Sequence, residues 1–314
     1  IGALVPFIAS FIIVYCLMPF IDFLSQKFKI NKKLAILIVL TLFTLFLLYI
    51  ILSIVPLVIR QFNGLIKYFV NNQEMIQAKI SEFLDGTNID LKTSVANIRE
   101  YLMNNSIDLI NSSIALVSGI FSFIFMTPIF TVMLIFNYDN IEAGLRKLLI
   151  KNKKKKILPL LKQIDESVGK YIKVTLLDCF IIGTLSGLLL YFLKVDYVQL
   201  FAIIIGVGNL IPFIGPFISI IPVLIYAATK SVHLFISILV LITVLQGIEA
   251  NVVKPWLTSK SVNIHPITTL LVILIGGALF GIIGAFIAIP VYIVIKLVVQ
   301  FYFAKGKIEK NDDL

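Results

Sequence analysis

The sequence predicts an all-α, polytopic integral membrane protein. Three observations lead there. The 314 residues are 59% apolar and only 14% charged, with a mean hydropathy of +1.03, more apolar surface than a soluble chain of this length can bury. The apolar residues fall into long runs separated by short charged stretches, Lys27–Lys33 and Lys151–Lys156 foremost. Two of the later runs are interrupted by Gly and Pro, which frees backbone groups that only a protein interior or a polar cavity can satisfy at membrane depth. The architecture expected is about 6–8 membrane segments, two re-entrant broken-helix hairpins and an extracytoplasmic amphipathic helical insertion.

Residues 1–56 form the N-terminal membrane segments. The chain opens at Ile1 already in apolar sequence, so residues 1–20 read as part of a mature membrane region whose true start is missing rather than as a cleaved signal. Pro6 and Pro19 make this a kinked or partial span. Lys27, Lys29, Lys32 and Lys33 place the next loop in the cytoplasm by the positive-inside rule, and 34–56 then runs outward, ending at Pro56. Residues 57–112 differ in kind: Phe62, Leu65, Ile66, Phe69, Ile76, Ile80 and Phe83 repeat at helical spacing, and the stripe resumes at Leu91, Val95, Ile98 and Leu102. Five basic against six acidic residues suit an outer face, and the two helices read as an extracytoplasmic cap or assembly surface for a homo-oligomer. Residues 113–136, with a kink at Pro128, cross back.

The segment 137–173 is basic and cytoplasmic, with Arg146, Lys147 and the run Lys151–Lys156. Beside a membrane span such a run marks topology and contact with anionic headgroups, not nucleic acid. Residues 174–304 form the core of the molecule. The span 174–193 carries Gly183-x-x-x-Gly187, a spacing that allows close helix approach. The pieces 197–211 and 217–229 flank Pro212-Phe213-Ile214-Gly215-Pro216 and, at about 1.5 Å per residue, are too short for two full crossings, so a hairpin is expected. Residues 234–250 cross again, 266–280 and 283–303 form a second broken pair, and 305–314 is a cytoplasmic tail.

The two broken pairs contain a near-repeat, Ile214-Gly215-Pro216-Phe217-Ile218-Ser219-Ile220 and Ile283-Gly284-Ala285-Phe286-Ile287-Ala288-Ile289, offset by 69 residues. Two carboxylates lie in membrane segments, Asp178 three residues after Thr175, and Glu249 three after Gln246, itself three after Thr243. They are offset by 71 residues, so each precedes a broken pair by a comparable distance. On the expected topology the two units run in opposite senses, a common transporter design. An ionisable group at the bilayer centre costs about 2.5–3.5 kcal/mol and is functional by default. Glu249 and Asp178 are therefore the candidates for proton or ion coupling; an interfacial ion pair with Lys254 is the structural alternative for Glu249. Thr175, Asn209, Pro212, Gly215, Pro216, Thr243, Gln246, Asn251, Gly277, Gly281 and Gly284 are candidates for the solute pathway.

Other chemistries find little in the sequence. Cys16 and Cys179 lie inside apolar segments and suggest no disulfide framework. With no HExxH, cysteine cluster or P-loop, no metal, cofactor or ATP-driven activity is expected, and no enzyme.

Residues 208–222 (Gly-Asn-Leu-Ile-Pro-Phe-Ile-Gly-Pro-Phe-Ile-Ser-Ile-Ile-Pro) resemble a signature of the AI-2E family of bacterial permeases, and Gln246–Pro290 resembles a second. The latter includes Glu249-Ala250-Asn251, Lys254-Pro255, Ser261-Val262, His265-Pro266 and Gly276-Gly277-Ala278-Leu279-Phe280-Gly281. A weaker likeness extends over nearly the whole chain, including Pro19-Phe20-Ile21-Asp22-Phe23-Leu24. Ala250 departs from the glycine often found there. The resemblance implies a multi-pass protein of the bacterial plasma membrane, with a preceding span missing here and the C-terminus cytoplasmic. It implies a permease whose relatives export autoinducer-2, exchange sodium or lithium for protons, or are linked to sporulation. The expected function is export of a small polar solute, autoinducer-2-like and proton-coupled, by rocking of one unit against the other. A Na⁺(Li⁺)/H⁺ antiporter and a non-transporting structural membrane protein are the alternatives.

Overall fold

The computed structural model describes residues 4–72, 125–138, 157–258 and 264–311, with a few isolated positions between them. The amphipathic stripe beyond residue 72, most of the basic cytoplasmic segment and the last residues of the tail lie outside the described residues. Those described are helical, with no strand among them, and five helical stretches are long and apolar enough to cross a membrane: Ala9–Phe28, Lys32–Phe69, Leu158–Phe192, Val232–Leu257 and Gly284–Phe303. The protein is thus an all-α polytopic membrane protein. Its helices are α1 (Leu4–Phe28), α2 (Lys32–Tyr49), α3 (Val55–Asn71), α4 (Phe125–Tyr138), α5 (Leu158–Phe192), α6 (Val198–Gly208), α7 (Ile214–Lys230), α8 (Val232–Ile248), α9 (Lys254–Thr258) and α10 (Pro266–Asn311). The chain divides into two compact units: one of Ile1–Thr44, Phe123–Leu177 and Leu257–Leu314, the other of Leu45–Ser122 and Asp178–Trp256.

In the first unit, α1 and α2 are joined by a turn with Lys29 at φ 53°. Asn31 caps α2, its Oδ1 accepting from the Lys33 N–H at 3.2 Å, which satisfies one of the unpaired amides of the first turn. Val14, Leu17 and Ile21 of α1 pack with Ala35, Ile36, Val39 and Leu40 of α2 and Ile135 of α4. Ser10 Oγ ties α1 to α4, lying 2.6 Å from the Pro6 carbonyl and 2.9 Å from that of Thr127. Helix α10 is broken at Phe280 (φ −134°, ψ 15°) and Gly281 (φ 65°, ψ −150°), the latter a conformation open only to glycine. The chain folds back there: a methyl group placed on Gly284 would stand 2.0 Å from the Gly276 carbonyl oxygen, whereas eight residues along a straight helix span about 12 Å.

In the second unit, Ile182, Leu190, Phe201, Ile205, Val223, Tyr226, Ile238 and Ile242 form the core. Phe62, Leu65 and Phe69 of α3 pack into it, so the described start of the amphipathic stripe faces this unit's interior. Gln61 of α3 supplies the cap that α6 lacks at Tyr197, its Oε1 accepting from the Leu200 N–H at 2.8 Å while its amide bonds Gln199. Helices α6 and α7 form the first hairpin, with Gly215 against the Gly208 carbonyl. Ser231 caps α8 through Leu234 N–H at 3.1 Å.

Pro56, expected to end a span, does not. The helix passes through it by a π-turn, Ile50–Ile54, in which Val55 N–H reaches the Ile50 carbonyl. A second π-turn, Glu249–Val253, precedes Pro255 in the same way, with Lys254 N–H bonding Glu249 O. Proline has no N–H and its ring collides with the carbonyl four residues back. Shifting the ladder by one residue just before the ring gives that carbonyl room, and such π-bulges recur at functional sites.

Candidate functional site

The second π-turn positions the candidate site. Glu249 opens it and is 3% exposed, and its Oε1 lies 2.6 Å from Lys254 Nζ, which is 39% exposed. Asp178, on α5, is also buried. Glu249 lies within its hydrogen-bonding reach and Lys254 is its other charged neighbour, while Asp178 Oδ1 has no hydrogen-bond partner among the described residues. Two acids 71 residues apart in sequence thus meet one ammonium. With two carboxylates and one cation, the group has an uneven charge to balance.

The tip of the α6–α7 hairpin belongs to the same unit. Here α5 and α6 run antiparallel in close contact: methyl groups on Gly183 and Gly187 would meet the Ala202 carbonyl at 3.2 Å and the Ala202 Cβ at 3.0 Å, and one on Gly206 the Cys179 carbonyl at 3.0 Å. The Gly183-x-x-x-Gly187 spacing is therefore a helix seam. Asn209 follows Gly206 by three residues and is 4% exposed, with neither amide atom hydrogen-bonded among the described residues. The turn then passes Pro212 to Phe213 (φ 66°, ψ −59°), where Ile214 N–H bonds the Pro212 carbonyl at 2.8 Å. This is the strained form of the γ-turn. Gly215 and Pro216 are buried in the first turn of α7, where a proline costs no hydrogen bond.

The other candidate residues are dispersed. Steps of three residues drift about 60° each around a helix. Thr243 is accordingly exposed, its hydroxyl returned to the Leu239 carbonyl at 2.6 Å, Gln246 is half-buried, and only Glu249 is buried. Asn251 is exposed and donates to the Gly247 carbonyl at 2.8 Å. Thr175 belongs to the first unit, where it lines an apolar cavity of about 370 Å³ with Tyr171, Phe286 and Pro290. Gly277, Gly281 and Gly284 are also in the first unit: Gly281 forms the break, Gly284 the close approach, and Gly277 neither, with an added methyl in ordinary contact at 3.7 Å.

The near-repeats occupy equivalent places. Gly215 and Gly284 both sit on the second arm under a glycine carbonyl of the first, and four residues on, Ser219 and Ala288 lie under Gly208 and Gly276, at 2.5 and 2.8 Å from a methyl placed there. This packing is the structural counterpart of the sequence signature. A family model described as AI-2E family transporter matches residues 2–304. The chain belongs to the AI-2E family. Among curated relatives, YrrI of Bacillus subtilis, named provisionally as a transport protein, is 27% identical over 97% of this chain and 88% of its own. YueF of the same organism, named likewise, is 26% identical over 93% and 82%. PerM of Escherichia coli, named provisionally as a permease, is 24% identical over 77% and 69%.

Membership makes this a multi-pass protein of a transporter family. Two polar groupings were not anticipated from the sequence. Tyr15 donates to Asp165 at 2.5 Å in the first unit, with Gly169 making room for the ring; Asp165 lay hidden because its stretch reads as a charged loop. In the second unit Tyr226 donates to Asp196 at 2.5 Å, and Lys230 lies 3.2 Å from the same oxygen and 4.8 Å from the Tyr68 ring centre. The Tyr226 hydroxyl, then Lys230, holds the Asp196 carboxyl below the usual carboxylate range. Only the i,i+4 spacing of Tyr226 and Lys230 hinted at this.

Proposed function

We propose that this protein is a secondary permease that exports a small polar solute, autoinducer-2-like, from a bacterial cell through the plasma membrane, with its C-terminus in the cytoplasm. Its outer helices support self-association, and its basic segment meets anionic headgroups. The observation that carries the reading is the two buried carboxylates Asp178 and Glu249, with the Lys254 ammonium on Glu249, in the same unit as a strained hairpin tip. Glu249 and Asp178 take up one proton between them on one side of the membrane and release it on the other, and Lys254 balances the remaining charge. Freed backbone groups of the Pro212–Gly215 turn face the solute during passage. Neither step requires a cofactor, and no covalent chemistry on the solute is involved.

Release of a loaded autoinducer-2 precursor from proteoliposomes, with and without an imposed pH gradient, tests this. Release that needs the protein, responds to the gradient and loses that response in Glu249→Gln is the expected result. Paired carboxylates also suit a hard cation, so no release accompanied by Na⁺- or Li⁺-driven proton movement would transfer the function to cation–proton exchange. Neither activity in well-reconstituted protein would leave a structural role.

A further inference from the structure

The first unit contains a cavity that the transport reading does not use. It measures about 370 Å³ and is walled by α1, α5 and α10. Its back is buried, with Val168, Ile172 and Thr175 of α5 at most 9% exposed. Its mouth is open: Phe7 and Phe11 of α1 and Val291 of α10 are 43–48% exposed. Toward the start of α5 the cavity is shut. Phe11 stands edge-on against Tyr15, whose ring lies over Gly169 and whose hydroxyl donates to Asp165 at 2.5 Å. The cavity therefore opens sideways, between α1 and α10.

The lining decides what fills it. A water molecule takes about 30 Å³ of the liquid and needs two to four polar partners, so this volume holds on the order of ten waters. Only Tyr171 and Thr175 bring hydroxyls to the lining, too few to serve them. A polar solute fares no better, since each group it buried would lose water without gaining a partner. Apolar cavities of about 150 Å³ stay dry and take up molecules such as benzene. All three walls belong to helices long and apolar enough to span a bilayer, where the substance that meets a sideways mouth is lipid hydrocarbon.

Charge indicates which lipid. The walls run toward basic residues at one end: α1 toward Lys27, α5 back toward Lys162, and α10 through Lys296 toward Lys305. At that end of α5 and α10, Lys162, Lys170, Lys173 and Lys296 stand against two acids, Asp165 and Glu166. Asp165 is engaged by Tyr15, and Glu166 lies 3.8 Å from Lys162. Long lysine stems carry their ammonium groups along apolar surface to headgroup level. The excess there is positive and complements an anionic headgroup.

We propose that this cavity binds one acyl chain of an anionic phospholipid, taken in sideways from the leaflet on the lysine side, with its headgroup held at those lysines. The site lies in the first unit, whereas the transport reading rests on carboxylates of the second, so each can fail without the other.

The test is thermal unfolding of the purified, delipidated full chain in micelles, titrated with phosphatidylglycerol or with phosphatidylcholine of the same chains. Phosphatidylglycerol raises the unfolding temperature saturably, as a ligand of the folded state alone must. Phosphatidylcholine needs at least about fivefold more for the same shift, the factor one lysine contributes at an anionic surface. Two variants occlude the cavity: Val291→Trp plugs the mouth from an exposed position, and Val294→Phe fills the interior. Each loses the saturable response, and where one fails to fold the other decides. Lipid that only coats the apolar surface gives a non-saturating response shared by all three proteins, and that result overturns the proposal. A saturable response that survives occlusion overturns it too, by placing the lipid elsewhere. So does equal potency of the two lipids, which would leave no site for an anionic headgroup.

Discussion

Removing Lys254 and removing Glu249 should have unequal consequences, although both break the same 2.6 Å ion pair. At an effective dielectric of 20 the attraction at that distance is about 6 kcal/mol before desolvation is counted. Glu249 is almost fully buried, whereas Lys254 is 39% exposed, so water screens the ammonium and keeps the net value of the pair far below that figure. Lys254→Met leaves Glu249 and Asp178 buried with no counter-charge, and the deficit expected is about 3–5 kcal/mol. Glu249→Gln leaves an ammonium that water can solvate and an amide that still accepts its hydrogen bond, so its deficit is about 1 kcal/mol. The double variant should recover at least about 1 kcal/mol relative to the sum of the singles.

Trp256 makes this measurable. It is the only tryptophan in the chain, two residues beyond Lys254, and 72% exposed. Its emission during denaturant unfolding in mixed micelles gives each deficit from the midpoint and slope. Equal deficits would refute the pairing of one exposed ammonium with two buried carboxylates.

Other outcomes follow from the packing. Gly215→Ala and Gly284→Ala drive a methyl to 1.7 and 2.0 Å from carbonyl oxygens and should each destabilise by about 1–3 kcal/mol or prevent folding, while Gly247→Ala, with open space around it, should be neutral or stabilising by up to about 1 kcal/mol; thermal unfolding ranks the three. Phe213→Gly, at φ 66°, should stabilise the hairpin by about 1 kcal/mol in the same assay by relieving strain. Pro255→Ala lets the π-turn return to a regular ladder and turns Glu249 away from Lys254, so it should reproduce the flux defect of Glu249→Gln in pH-jump assays on proteoliposomes while leaving every charge in place. Asp196→Asn should cost less than about 1 kcal/mol, because that carboxyl is 62% exposed and screened. Since its folded pKa is depressed, the contribution is present above the ordinary carboxylate range and disappears as pH falls through the folded value.

The hairpins were legible because Gly and Pro act on the backbone where they stand: Pro212, Gly215 and Pro216 break one arm from the next, and Gly281 takes a conformation closed to other residues. Pro56 and Pro255 were legible only as interruptions. Their local effect depends on whether the helix finds an alternative ladder, and here packing on both sides lets a π-turn carry it through. The Thr243–Gln246–Glu249 series looked like one polar face because three-residue spacing is near the helical repeat, but the drift accumulates over two steps and leaves Thr243 outside. The meeting of Asp178 with Glu249 could not be read from spacing at all, since it depends on how α5 and α8 pack in one unit. Asp165 and Asp196 were missed for a related reason. Each looks like a solvated loop acid until a tyrosine from elsewhere in the chain, Tyr15 or Tyr226, is brought onto it.

The near-repeats and the acids point to different kinds of symmetry. In both hairpins a glycine on the second arm meets a glycine carbonyl on the first, with a small residue one turn on beneath the partner glycine, although the hairpins lie in different units. The acids do not divide in this way, for Asp178 and Glu249 both fall in the second unit. Polarity at the tips is just as uneven: the first tip buries Asn209 and Ser219, while the second presents Leu279, Phe280 and Ile282 with no polar side chain among them. What is repeated is a backbone device for reversing a helix at close quarters, and the ionisable chemistry is concentrated at one copy. Exchanging the polar pair, by Asn209→Leu with Ser219→Ala, should therefore leave the fold intact in thermal unfolding, whereas Gly215→Ala and Gly284→Ala, which strike the repeated backbone device itself, should not.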